Sequence, residues 1–179
     1  MSGILDELRY FFYRRSIGKN SNLEKERESL HFADVKSIGI IFNGTEIEAY
    51  EPVRDFKRQM ESKSKRVKVL GYINANNANR MMQYDMFSRK DLTWNLKPKS
   101  AFALNFTEMK FDLLINAYVD VLPPLEYISM YSEARFRVGL YFPENTGLSD
   151  MMLSIDGKPN MHNFFTEVNR CLNIYQNNA

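Results

Sequence analysis

The chain has 179 residues, of which 44% are hydrophobic and 26% charged. That length accommodates one domain with a substantial core, and the balance is ordinary for a soluble globular protein. A formal net charge of +2 makes no electrostatic case for nucleic acid, and Cys171, the only cysteine, excludes an intrachain disulfide.

No apolar run approaches the ~20 residues needed to span a bilayer. Asp6, Glu7 and Arg9 break up the first apolar residues, which is not a signal-peptide layout. The chain reads as cytoplasmic, with no transmembrane segment. It is expected to form one α/β domain over residues 1–179, with a helical extension at 1–34 and a core at 35–179.

Ile4, Leu5, Leu8, Phe11 and Phe12 fall on one face of a helix over residues 4–15, and Arg14, Arg15 and Lys19 follow. This amphipathic helix is expected to pack on its own domain. The competing reading is a membrane-surface or partner-binding helix, with a second copy of the chain as the simplest partner. Asp6 and Glu7 weaken attraction to anionic lipid. Residues 16–34 carry mixed charges and read as a solvated helix or linker.

Ser37-Ile38-Gly39-Ile40-Ile41-Phe42 is apolar on both sides of the pleat, as strands of parallel sheets are. Asn43-Gly44 ends it. Thr45 and Glu48 have capping-box spacing ahead of a helix that turns Val53, Phe56 and Met60 inward. Pro52 predicts either a kink or a later start near Glu51. Arg66-Val67-Lys68-Val69-Leu70-Gly71-Tyr72-Ile73 is a second strand, followed by an asparagine-rich loop. Residues 80–99 are the least legible. Met81, Met82, Tyr84, Met86 and Phe87 fit a short helix or an edge strand, and Asp91, Trp94 and Asn95 a loop.

A short helix over 100–109 leads into Phe111-Asp112-Leu113-Leu114-Ile115-Asn116, an apolar strand. A helix after Pro123-Pro124 then leads to Arg135-Phe136-Arg137-Val138-Gly139-Leu140. Strand, helix and strand in that order place two parallel neighbours side by side. Met151-Met152-Leu153-Ser154-Ile155 is a fifth strand. Asn160 caps a last helix whose inward stripe is Met161, Phe164, Phe165, Val168, Leu172 and Tyr175. The expected fold is a Rossmann-like three-layer sandwich around a mainly parallel sheet of about five strands.

Three strands end in asparagine. Ligands bind outside the carboxyl ends of strands in open α/β sheets. Asn43, Asn74, Asn116 and Asp120 are therefore the candidate ligand-binding residues, for a small molecule such as a sugar nucleotide. The competing reading is that asparagine suits turns. Neither G-x-G-x-x-G nor a P-loop is present, so no cofactor is assigned. His31 and His162 belong to no metal-ligand pattern, and Cys171 lies mid-helix. Asp85, Asp91, Asp112 and Asp120 are scattered carboxylates that only the fold can unite. Arg54, Lys57, Arg58, Lys63, Lys65, Arg66 and Lys68 form a basic stretch without interleaved aromatics, which disfavours nucleic acid.

Ser37-Ile38-Gly39-Ile40, Leu70-Gly71-Tyr72-Ile73, Asp91-Leu92-Thr93-Trp94, residues 111–116, Ser132-Glu133-Ala134 with the strand after it, and Phe164-Phe165 carry a resemblance over most of the chain. They resemble a family of small Bacteroidetes proteins of unknown function, which implies no activity. Residues 111–141 alone are similar to part of the N-terminal domain of heptosyltransferase-type glycosyltransferases. There a comparable strand leads through a helix to an Ala-Arg-x-Arg-x-Gly-like strand. That resemblance implies a Rossmann-like fold. In those enzymes a second domain binds the nucleotide sugar, so no catalytic residue carries over.

Overall fold

Apolar strands with no polar face need cover on both sides, and the sheet of this protein is built to supply it. In the computed structural model, residues 2–17, 34–76, 84–120, 122–141, 143 and 147–177 are described. The strands are β1 (Ser37–Asn43), β2 (Arg66–Ile73), β3 (Asp85–Ser88), β4 (Leu113–Ala117), β5 (Phe136–Leu140) and β6 (Met151–Leu153). All pairings are parallel, in the order β3-β2-β1-β4-β5-β6. This is the doubly wound order, which reverses between β1 and β4.

The helices are α1 (Ser2–Ser16), α2 (Tyr50–Ser62), α3 (Ala101–Glu108), α4 (Pro123–Tyr131) and α5 (Met161–Asn177). Val53, Phe56 and Met60 of α2 join Phe164, Phe165 and Val168 of α5 on one face. They cover Ile38, Ile40, Phe42, Leu113, Ile115 and Val138. On the other face, Ala103 and Phe106 of α3 and Leu125 and Ile128 of α4 cover Ile41, Leu70, Tyr72 and Leu114. The result is the three-layer α/β sandwich that the alternating pattern predicts.

Two details depart from the expectation. The sheet has six strands rather than five, because Asp85–Ser88 pairs with β2 as an edge strand. Thr45 and Glu48 form no capping box, since a 3₁₀ turn at Ile47–Ala49 precedes α2 and no side chain caps either element. Instead Thr45 Oγ1 accepts the Asn74 N–H at 2.8 Å. The helix takes the later start, with Pro52 in its first turn, where its missing N–H has no partner to lose. Asn160 does cap α5, accepting the Asn163 N–H at 2.9 Å.

At the amino ends of the strands, Asp112 accepts the N–H groups of Lys36 and Ser37 and the Ser37 hydroxyl, each at 2.9 Å. Burial alone would raise its pKa, but these bonds and the charge of Arg135 hold it below the usual carboxylate range.

β4 lies between β1 and β5, and Leu114 is fully buried. Replacing Leu114 by Ala should therefore destabilise the protein by about 2–5 kcal/mol in urea unfolding. A cost near zero would mean that β4 is not an interior strand.

Candidate functional site

Because the strands are parallel, Asn43, Asn74 and Asn116 share the carboxyl-end edge of the sheet. Their side chains meet different fates. Asn43 is buried at the last position of β1. Its Oδ1 accepts the Thr45 N–H at 3.1 Å, and its Nδ2 donates to Glu46 Oε1 at 2.8 Å. Asn74 follows β2, and its Oδ1 accepts from Arg89 Nε at 2.7 Å and from the Tyr72 hydroxyl at 3.3 Å. Thr45 links these two asparagines, so the ends of β1, β2 and β3 share one polar cluster. Asp120 is exposed beyond β4.

Asn116 stands apart from that cluster. The strand runs one residue further, to Ala117, and the Asn116 side chain is enclosed. Its Nδ2 donates to Ser129 Oγ and Ser149 Oγ, both at 2.9 Å, and its Oδ1 is buried with no hydrogen-bond partner among the described residues. Gly139 makes room for this. A Cβ there would lie 2.5 Å from Ser149 Oγ and 3.1 Å from Asn116 Cβ. Alongside, Asp150 accepts from Arg137 NH2 at 3.0 Å and Nε at 3.3 Å, and Arg137 is fully buried. The charge-assisted Arg137–Asp150 pair pins the segment before β6 onto β5, and neutral bonds from Asn116 to Ser149 and from Ser129 to Leu148 O tie it to β4 and α4.

The scattered carboxylates are engaged separately. Asp85 pairs with Lys68, Asp91 accepts from Ser88, and Asp112 sits at the opposite edge. In the basic stretch, Arg54 pairs with Glu51 and Asp55, and Lys57 with Glu61. No group of three or more potential metal ligands occurs among the described residues; His31 lies outside them. No described helix is long and apolar enough to cross a membrane. An open groove of about 1050 Å³ runs between α2 and α5, lined by Tyr50, Arg54, Tyr84 and His162 among others. None of the four strand-end candidates lines it.

The least expected feature is α1. Its anchor is polar: Tyr13 is 0% exposed and donates its hydroxyl to Pro123 O at 2.7 Å. Arg14 NH1 donates to Glu126 Oε1 at 2.7 Å. Arg9 Nε donates to Trp94 O at 2.7 Å, and Lys97 Nζ to Ser16 O at 3.3 Å. These contacts hold α1 against the start of α4 and the loop before α3. The opposite face carries Leu5, Leu8, Phe11 and Phe12, which are 62%, 49%, 58% and 41% exposed. Trp94, 63% exposed, packs edge-on against Phe12 at 5.1 Å between ring centroids. The helix does pack on its own domain, as expected, but through Tyr13, Arg14 and Ser16, and these four apolar residues face outward. The polar anchors fix the helix with its stripe outward.

Residues 9–175 match the family of unknown function DUF6913. The chain belongs to that family. No curated protein and no solved structure matches it. The stretch shared with the DUF6913 family includes Tyr13, Arg14, Trp94 and Glu126, so it contains both sides of the α1 anchor.

Glu126 is buried, and its Oε2 has no hydrogen-bond partner among the described residues. Burial raises its pKa, and the Arg14 charge opposes this only in part. Burial, reinforced by Glu126, also pushes the Tyr13 and Tyr118 hydroxyls far above the tyrosine range. A raised Glu126 means that protonation favours the fold. That contribution is full below the ordinary glutamate range and is lost as pH rises through the raised value. Glu126→Gln should therefore gain stability relative to the parent as pH rises from about 4 to about 8 in urea unfolding. Parallel pH profiles for the two proteins would show that Glu126 is not a strained carboxylate.

Proposed function

We propose that the protein acts through protein contacts, made by the outward face of α1 together with Trp94. The observation that carries this reading is one helix with two unlike faces. Tyr13 is wholly buried on one, while four large apolar side chains face water on the other. Single exposed apolar residues are ordinary, but a contiguous group of them marks an interaction surface. Large aromatic side chains also dominate the energetics of protein interfaces. Phe11, Phe12 and Trp94 supply three of them.

The arrangement also explains why the helix is held by hydrogen bonds and an ion pair. A helix docked through its apolar stripe would have nothing left to present. Docking through Tyr13, Arg14 and Ser16 keeps the stripe available and in a fixed direction.

A photoreactive phenylalanine analogue placed at Phe11 should give a discrete cross-linked product in living cells, and Leu8→Glu should abolish it. The same analogue at Ile47, an exposed apolar residue outside α1, should give none. Absence of any product from Phe11 would refute the reading.

A further inference from the structure

We infer that the occupant of the α1 face is a second copy of this chain, paired antiparallel through α1. This rests on the contact reading above. Leu5, Leu8, Phe12 and Arg15 recur at i, i+3, i+7 and i+10 and form one line along the helix. In an antiparallel pair, Leu8 of each copy faces Phe12 of the other, and Leu5 faces the stem of Arg15. Such an interface is isologous, so every contact occurs twice.

Charge decides between this occupant and the others. The helix is acidic in its first half, at Asp6 and Glu7, and basic in its last turn, at Arg14 and Arg15. Asp6, Glu7 and Arg15 are all exposed. Asp6 is paired with Arg9 and Arg14 with Glu126, so the attraction between copies is carried by Glu7 and Arg15: antiparallel pairing sets Glu7 of one copy near Arg15 of the other, at both ends of the contact. A parallel pair would instead place like charges together, which is unfavourable. An anionic membrane would meet Glu7 beside the same stripe. The helix therefore complements itself better than it complements lipid.

The contact is small. A helix of 15 residues is about 22 Å long. Even with Trp94 it falls at the low end of protein interfaces, below about 1,200 Å² in total. A reversible dimer is the expected result, with a dissociation constant in the micromolar range.

Sedimentation equilibrium of the purified full chain tests this. The parent should shift from monomer to dimer with concentration, and Leu8→Glu with Phe12→Glu should stay monomeric with an unchanged circular dichroism spectrum. Glu7→Arg alone or Arg15→Glu alone should weaken the dimer roughly tenfold, since each reversal turns two attractions into two repulsions. The two reversals combined should restore it to within about threefold of the parent. That recovery is the signature of antiparallel pairing, and its failure would overturn the proposal. A parent chain that stays monomeric up to hundreds of micromolar would also overturn it. So would a monomeric chain that floats with phosphatidylglycerol vesicles and loses them in the Leu8/Phe12 variant, because the occupant would then be a membrane. A monomer that still cross-links from Phe11 in cells would sink only the second copy. Loss of both signals would sink the contact reading as well.

Discussion

Parallel strands cannot be joined by tight hairpins, so each link between neighbours must cross back over the sheet. In this protein α2 makes that return after β1, α3 after β3 and α4 after β4, and α5 follows β6. Among the described residues, two helices cover each face of the sheet. Every strand can then be apolar on both sides, and polar side chains are pushed toward the strand ends or into closed networks. The Asn43–Thr45–Asn74–Arg89 cluster is the first kind, and the Asn116–Ser129–Ser149 group with Arg137–Asp150 the second.

α1 stands outside this scheme. It precedes the first strand and makes no crossover, and the sheet has its cover without it. Its place is set by a few directional bonds, chiefly Tyr13 to Pro123 O and Arg14 to Glu126. Glu126 is buried, so its bond to Arg14 is screened less by water than that of an exposed pair. Polar anchoring and an outward apolar stripe are two sides of one arrangement.

Much of the fold is legible in the sequence because its signals are local. The apolar runs at β1, β2, β4 and β5 have no polar face, and that alone marks buried parallel strands. The stripe of α5 and its Asn160 cap are equally direct. β3 is harder, because four residues at an edge carry too little pattern to separate strand from helix. The Thr45–Glu48 spacing misleads because Asn74, 29 residues from Thr45, takes the Thr45 hydroxyl first. The Asn116 network is invisible locally, since Ser129 and Ser149 reach it from 13 and 33 residues away. The face of α1 is illegible for a different reason. Amphipathicity says which residues are apolar, not which face docks, and a buried tyrosine hydroxyl with an arginine–glutamate pair reversed the usual answer. The alternating Arg135, Arg137 and Gly139 were the available hint that one side of β5 meets polar groups.

Trp94 is the only tryptophan in the chain, and it lies at the edge of the α1 face. Acrylamide quenching of its fluorescence is therefore the most direct test of which way that face points. Trp94 should be open to quencher in dilute solution and become shielded, with emission shifted to shorter wavelength, as concentration rises. A Trp94 already shielded in the dilute monomer would contradict this, because the apolar stripe of α1 would then be turned inward.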